Sequence, residues 1–155
     1  MVISAETRAR IDAEAAKYPR RRGALLTALH LVQKDLGHIA PDTAAEIAAL
    51  FDLHPVEVME VVSFYNMFFD RPQGRHHVRV CTNLPCSLRG AREILRELER
   101  HLGVEAGGTS ADGRITLGHE ECLGACAWAP MMRVDDVYHE DLDAVKAKQI
   151  LAALR

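Results

Sequence analysis

The chain has 155 residues, a formal net charge of −3, 48% hydrophobic residues and 26% charged residues. These values are ordinary for a globular protein with its own core, and the slightly acidic balance gives no reason to expect nucleic acid or an anionic membrane surface as a partner. No run approaches the roughly 18 apolar residues of a membrane span, and residues 1–10 lack the apolar stretch of a secretory signal. We therefore expect no direct membrane insertion, and one domain or one domain with a smaller appendage.

Apolar residues recur at helical spacing through the first part of the chain. Thr43, followed three residues later by Glu46, has the pattern of a capping box and predicts a helix that starts there. Pro55 suits the first turn of the next helix, where its missing N–H costs nothing. Such short helices are marginal alone, so we expect a small helical bundle. The predicted helices are residues 11–18 ending before Pro19, 25–36 ending at Gly37, 43–51 and 55–65.

The pattern changes after residues 70–75, a polar stretch that contains both proline and glycine. The order that follows is strand, helix, strand, strand, strand, helix, which is a βαβ unit followed by a ββα unit. The predicted fold class is therefore α+β: a helical bundle over residues 1–72, followed by a thioredoxin-like α/β domain over residues 73–155. The predicted strands are 77–81, 114–117, 131–134 and 137–139. The predicted helices are 87–102 and a last helix that is capped by Asp141 and runs to about residue 154.

All four cysteines lie in two short segments, Cys81-x4-Cys86 and Cys122-x3-Cys126. Four thiolates from two loops suit a tetrahedral zinc ion or a [2Fe–2S] cluster. Structural zinc sites favour C-x2-C in each loop, which neither segment has, and the plant-type iron–sulfur spacing is also different. The spacing favours an iron–sulfur cluster but leaves zinc, disulfides and plain thiols open.

The predicted topology brings the two segments together. Cys81 closes the first strand and Cys122 follows the second, and the carboxyl ends of parallel strands lie at one edge of a sheet. Cys86 directly precedes the helix predicted from Ser87, whose N-terminus would favour a thiolate. Gly124 would let its loop bend closely around inorganic sulfide, or it is an ordinary turn glycine. A redox-active thioredoxin is disfavoured because neither segment is C-x-x-C.

Two segments carry longer motifs. Residues 80–90 read VCTNLPCSLRG, and residues 112–130 follow the signature D-x2-F-(S/T)-x5-C-L-G-x-C-x2-(G/A)-P, with Ile115 in place of Phe. Both resemble the small [2Fe–2S] subunit of NADH:quinone oxidoreductase, respiratory complex I. Residues 63–65 (SFY) and Pro72-x-Gly74 also resemble this family, so the likeness covers nearly the whole chain.

The resemblance implies an electron-transfer subunit with a [2Fe–2S] cluster ligated by Cys81, Cys86, Cys122 and Cys126. The expected partners are the subunit of the same complex that binds FMN and NADH, with whose FMN the cluster exchanges electrons, and the large iron–sulfur subunit. Because the bundle of residues 1–72 contributes no ligand, we expect it to dock the partner. The chain would be an enzyme only as a subunit, since no G-x-G-x-x-G follows a strand and no substrate site is expected. The expected location is cytoplasmic, in the peripheral arm of a membrane-bound complex.

Two alternatives belong to other assemblies or classes. One is the equivalent small subunit of an NAD-dependent formate dehydrogenase or hydrogenase, and the other is a zinc-stabilised binding module. Glu120 and Glu121, beside Cys122, could lower the potential of a cluster, or they could be a solvated pair. Trp128 is expected to be a packing or interface aromatic rather than an electron conduit.

Overall fold

The computed structural model describes residues 2–155, which form two compact units that meet in sequence between Pro72 and Gln73. Each unit has a hydrophobic core of its own. The α+β class is confirmed. The first unit contains α1 (Ala5–Ala15), a 3-10 turn (Arg21–Ala24), α2 (Leu25–Leu36), α3 (Pro41–Phe51) and α4 (Pro55–Phe64). The second contains β1 (His76–Cys81), α5 (Leu84–Leu88), α6 (Ala91–Leu102), β2 (Ile115–Glu120), a 3-10 turn (Cys126–Trp128), β3 (Met132–Val134), β4 (Val137–His139) and α7 (Ala144–Ala153).

Local caps set the ends of the first two helices. The hydroxyl of Ser4 accepts the N–H of Thr7 at 3.1 Å and so caps α1. This helix ends at Ala15 rather than continuing to Tyr18 as predicted. Helix α2 ends at Gly37, as predicted, and the φ of 81° there is a conformation that glycine adopts without strain.

The prediction that Thr43 and Glu46 form a capping box is wrong. Helix α3 begins earlier, at Pro41, and Thr43 is buried within it. The carboxylate of Glu46 accepts hydrogen bonds from the backbone N–H groups of Val2 at 2.6 Å and Ile3 at 2.9 Å. Partners distant in sequence therefore engage Glu46, although the local pattern suits a cap.

A capping box is found instead at the start of α4. The Nδ1 atom of His54 accepts the N–H of Val56 at 3.3 Å, and the carboxylate of Glu57 accepts the N–H of His54 at 3.0 Å. Pro55 occupies the first turn, as predicted. No helix among residues 2–155 is long and apolar enough to cross a membrane.

The second unit is built on a four-stranded sheet with the order β2-β1-β3-β4. Strand β1 pairs parallel with β2, with His76 opposite Ile115 and Cys81 opposite Glu120. Strand β3 pairs antiparallel with β1 and with β4. The predicted strand and helix order is therefore present. Residues of β1, β2, α6 and α7 share one core, whose fully buried members include Val78, Leu98, Ile115, Leu117 and Leu151.

Two helix predictions in this unit need correction. The helix predicted over residues 87–102 is two helices, because the chain breaks at Gly90, where φ is 92°. Cys86 consequently lies inside the short helix α5 and not directly before a long one. The last helix is capped by Asp143, which accepts the N–H of Lys146 at 2.7 Å, whereas Asp141 lies before it with a φ of 46°.

Candidate metal centre

The four cysteines lie at the edge of the sheet where β1 and β2 end. Cys81 is the last residue of β1 and Cys86 lies in α5, just beyond it. Cys122 follows β2, which ends at Glu120, and Cys126 begins a 3-10 turn. All four are free thiols. The sheet therefore brings together the two segments that the predicted topology placed side by side.

The thiols are close enough to affect one another's ionisation. Cys81 and Cys126 act on the ionisation of Cys86, and Cys122 and Cys81 act on that of Cys126. Burial, followed by the contact with Cys81, raises the pKa of Cys86 to about 11. Burial, followed by repulsion from Cys122, raises the pKa of Cys126. Cys86 is the third residue of the five-residue helix α5 and is buried, so burial is the main cause of the raised pKa of its thiol.

This donor set fits a cationic group that is held by thiolates. Four neighbouring thiolates repel one another, and iron ions would supply the opposing charge as the thiols lose their protons. A [2Fe–2S] cluster is held by four thiolates, and here four free thiols come from two loops at one sheet edge. Among residues 2–155, no group of three or more Cys, His, Asp or Glu side chains is arranged to hold a single metal ion. The fit to a cluster therefore rests on the four thiols and their common sheet edge.

Backbone hydrogen bonds hold the first cysteine loop, residues 81–86, against the end of β2. The N–H and the hydroxyl of Thr82 both donate to the carbonyl of Glu120, at 2.9 and 3.1 Å. The hydroxyl of Ser87 donates to the carbonyl of Thr82 at 2.8 Å. The side chain of Asn83 accepts the N–H of Leu84 at 2.8 Å and begins α5. Sequence reasoning missed the role of Thr82, because its partner lies on another strand.

The second cysteine loop, residues 122–126, depends on one glycine and one distant tyrosine. Gly124 has a φ of 80°, and its N–H donates to the Sγ of Cys122 at 3.4 Å. A Cβ atom added there would meet nothing within 4 Å in this chain, so the backbone conformation is what requires glycine. The Tyr138 hydroxyl, on β4, donates to the carbonyl of Leu123 at 2.8 Å. No sequence pattern indicated this support.

The two loops differ in exposure. Cys81 and Cys86 are 2% and 1% exposed and belong to the hydrophobic core, whereas Cys122 and Cys126 are exposed. Large apolar side chains next to the loops in sequence or by contact are also exposed, and we call them the apolar rim: Leu84, Leu88, Trp128 and Tyr138. Trp128 therefore does not pack in the core. The outer thiols therefore lie near exposed apolar side chains.

The signature positions before the second loop are structural. Ile115, where the signature has Phe, is 1% exposed and packs in the core. The hydroxyl of Thr116 accepts the N–H of Gly74 at 2.6 Å. Asp112 accepts the hydroxyl of Ser110 at 2.6 Å, and this hydrogen bond, with others from Arg114, holds the pKa of that carboxyl below its usual range. These residues fix the start of β2, and therefore its end, where Cys122 lies.

The two glutamates beside Cys122 are not a solvated pair. Glu121 is exposed, but Glu120 is 7% exposed, and its Oε1 lies 3.9 Å from the Nε of Arg79. The burial follows from the register, because Glu120 is the last residue of β2 and lies opposite Cys81. One carboxylate is thus fixed inside the site and the other lies in solvent.

Comparison with known proteins agrees with this site. The model of the family "Thioredoxin-like [2Fe-2S] ferredoxin" matches residues 11–155. The chain is 42% identical to a subunit of the NADH-quinone oxidoreductase of Rhizobium meliloti over 148 residues, which is 96% of this chain and 88% of that one. It is 40% identical to NADH-quinone oxidoreductase subunit 2 of Thermus thermophilus over 143 residues, which is 90% of this chain and 79% of that one.

A solved structure of similar fold comes from another kind of complex. The crystal structure of an NAD+-reducing [NiFe]-hydrogenase in the air-oxidised state aligns with a TM-score of 0.72 and 25% identity. The alignment covers 84% of this chain and only 22% of the hydrogenase chain. The thioredoxin-like fold and the resemblance found in the motifs are confirmed, and this chain belongs to the thioredoxin-like [2Fe–2S] ferredoxin family.

Proposed function

We propose that this chain is the electron-transfer subunit of an NADH:quinone oxidoreductase and that Cys81, Cys86, Cys122 and Cys126 ligate its [2Fe–2S] cluster. The relatives named as subunits of that enzyme, at 42% and 40% identity over most of the chain, support the assembly. The observation that carries the ligand assignment is the meeting of the two cysteine loops at one sheet edge. The chain acts as a subunit of an oxidoreductase and needs no substrate site of its own.

Each loop has a separate task in this proposal. When bound, a [2Fe–2S] cluster accepts and returns one electron. Cys81 and Cys86 hold their side of the site from within the core, so their positions are fixed by packing. The N–H of Gly124 donates to the Sγ of Cys122 and stabilises negative charge on that thiolate. Because the second loop is exposed, a redox group in a partner can approach from that side.

The proposed partners are the subunit that binds FMN and NADH and the large iron–sulfur subunit of the same complex. An exposed apolar surface is typical of a protein interface, and aromatic residues and Met are enriched there. The helical unit, residues 1–72, also presents such residues: Phe64 is 79% exposed and Met67 is 43% exposed, whereas Phe68 is buried. We assign partner docking to this unit, and the cluster to the unit of residues 73–155.

The proposed location is the peripheral arm of the complex, on the cytoplasmic side of the membrane. Four free thiols suit a reducing compartment, where disulfides are rare. The second candidate function is the small subunit of an NAD-reducing hydrogenase or an NAD-dependent formate dehydrogenase, which the hydrogenase alignment favours. Proteins that copurify with this chain distinguish the candidates: quinone-reducing membrane subunits indicate the first, and a nickel or molybdenum subunit indicates the second.

The cluster is tested by anaerobic purification of the full chain. We expect a red-brown protein with iron and acid-labile sulfide in equal amounts, and no stoichiometric zinc. A colourless protein that contains zinc, without iron or sulfide, would overturn the proposal. The same preparation tests the zinc-stabilised binding module, since zinc gives no visible absorption.

The docking assignment is tested with two substitutions of matched exposure. Phe64→Ser changes a residue of the helical unit that is 79% exposed, and Leu88→Ser changes a rim residue that is 78% exposed. We expect Phe64→Ser to weaken capture of the FMN-binding subunit by roughly tenfold, as loss of an interface aromatic does, without changing the absorption of the cluster. If only Leu88→Ser weakens capture, the cysteine edge carries the interface and the helical unit does not.

A further inference from the structure

A buried group of charges shares a sheet face with Cys81. Side chains at alternate positions of a strand point to the same face, so Arg79 lies on the face of Cys81. Arg79 is opposite Gly118 on β2 and Arg133 on β3, and Cys81 is opposite Glu120. We call Arg79, Glu120 and Arg133 the charge triad. Its members come from three adjacent strands: Arg79 is two positions before Cys81, Glu120 lies opposite Cys81, and Arg133 lies opposite Arg79.

The side chain of Arg79 extends across the sheet from β1 to β2. A Cβ atom added at Gly118 would collide with the Nη1 atom of Arg79, so the side chain crosses this glycine. Its Nε lies 3.9 Å from Oε1 of Glu120, the residue opposite Cys81. The side chains of Arg79 and Glu120 are only 15% and 8% exposed. Both charges therefore act through protein rather than through water.

The triad carries a net positive charge, because two arginines accompany one glutamate. Burial, and the charge of Arg133, lower the pKa of Arg79, while Glu120 raises it. The Nε atom of Arg133 is buried and has no hydrogen-bond partner among residues 2–155. Like charges directly opposite each other destabilise a sheet. The charges of the two arginines therefore do not favour the pairing of β1 with β3.

We propose that the charge triad sets the reduction potential of the cluster held by Cys81 and its partners, an inference that rests on the proposed function. Two positions along a strand span about 7 Å, so the charges lie near the ligand at low effective dielectric. Reduction adds one electron and no proton, and no bond to the protein forms or breaks. The arginines favour the added negative charge and raise the potential, whereas Glu120 opposes it and lowers the potential.

The test is a redox titration of the full-length chain with its cluster, under anaerobic conditions and with low-potential dyes as electron donors. At a fixed potential, Arg133→Gln should lower the ratio of reduced to oxidised cluster, and Glu120→Gln should raise it. Each change should approach tenfold, equivalent to about 59 mV for a one-electron couple. Arg133→Lys, which keeps the charge, should stay near the wild type. Arg96→Gln, on the exposed side of α6, should not shift the ratio.

The two substitutions should shift the reduction potential in opposite directions, which a packing defect would not do. The proposal is overturned if Arg133→Gln and Glu120→Gln shift the potential in the same direction, or if neither shifts it beyond the Arg96→Gln control. If Glu120→Gln loses its cluster, the reduction potentials of Arg133→Gln and Arg133→Lys are compared instead. Equal potentials in these two variants would refute the proposal. The electron paramagnetic resonance spectrum checks that the ligands are unchanged. A wild-type chain without an iron–sulfur spectrum would instead refute the proposed function.

Discussion

The two cysteine loops supply the same chemical groups from opposite structural settings. The first loop joins a strand to a helix, and its thiols, those of Cys81 and Cys86, are part of the hydrophobic core. The second loop is irregular and exposed, and it is held by Gly124 and by the hydroxyl of Tyr138. The first loop is therefore as stable as the fold, while the second depends on a few local contacts. Substitutions in the two loops should separate loss of the fold from loss of the cluster.

The largest effect is expected from Cys86→Ser. Loss of a ligand should abolish the cluster, and a hydroxyl without a partner in the core should also lower the free energy of unfolding of the apo chain by about 1–3 kcal/mol. Cys122→Ser should abolish the cluster too, but change apo stability by less than about 0.5 kcal/mol, because Cys122 is exposed. Iron and sulfide content and urea unfolding measure the two quantities.

Ser87→Ala is the control for the first loop. Ser87 donates to the carbonyl of Thr82 but is not a proposed ligand, so the cluster should remain, with at most a shifted potential. If Cys86→Ser kept as much cluster as the wild type, the ligand assignment would be wrong.

A smaller effect, confined to the second loop, is expected from Gly124→Ala. The left-handed conformation costs a residue with a Cβ atom about 1–2 kcal/mol, so the loop should close less firmly around the cluster. Loss of cluster absorbance in air should be faster, while urea unfolding of the apo chain changes little. Gly124→Asn is the matched variant, because Asn tolerates this conformation better, and it should fall between alanine and the wild type. Identical behaviour of all three would show that the conformation does not matter.

Tyr138→Phe should act on the same loop more weakly. It removes one hydrogen bond, to the carbonyl of Leu123, worth about 0.5–1.5 kcal/mol, and leaves the ring in place. Release of iron to a chelator should become a few times faster, with the spectrum unchanged. Val137→Ala, at an exposed neighbouring position, is the control and should not change the rate.

The smallest effect on stability is expected from a substitution of His76, at the end of β1 that is away from both cysteine loops. His76 Nδ1 lies 2.8 Å from Asp135 Oδ2, and this hydrogen bond, helped by the carbonyl of Arg155, raises the pKa of His76 above 6.5. The hydrogen bond of protonated His76 stabilises the fold fully at pH values below the ordinary pKa of histidine. This stabilisation is lost as the pH rises through the raised pKa of His76. His76→Gln should therefore destabilise the apo chain more near pH ~6 than near pH ~8.5, by less than about 1 kcal/mol.

Cluster retention by His76→Gln should match the wild type at both pH values. In an Asp135→Asn background the pH dependence of the substitution should become smaller, because the partner charge is absent and only the Arg155 carbonyl still raises the pKa of His76. If His76→Gln changed cluster retention as well, the stability of the cysteine loops would depend on the stability of the whole unit of residues 73–155.

The sequence was informative wherever one local signal decides the structure. Gly37 ended its helix because the left-handed conformation at that position favours glycine. The end of β1 at Cys81, and the position of Cys122 after β2, followed from strand periodicity and from the parallel pairing of strands in a βαβ unit. These two results were enough to place the cysteine segments side by side.

The remainder required knowledge of partners distant in sequence. The sequence pattern around Glu46 is typical of a capping box, but its carboxylate accepts hydrogen bonds from the backbone N–H groups of Val2 and Ile3. Glu120 looks solvated beside Glu121, yet the register with β1 buries it. The break at Gly90 was hidden because the apolar stripe of α6 favours one continuous helix. Tyr138 reaches Leu123 from another strand, and no local pattern reports such a contact.

The parallel pairing of β1 with β2 also constrains how the protein matures. His76 lies opposite Ile115, so the pairing can form only after the whole crossover, including α6, has been synthesised and has docked. Contacts so distant in sequence form late, because the intervening chain must first be closed. Before that point the two thiol pairs are separate and offer no common site. We therefore expect iron and sulfide to be inserted after folding, and a red colour would then report that the crossover is complete.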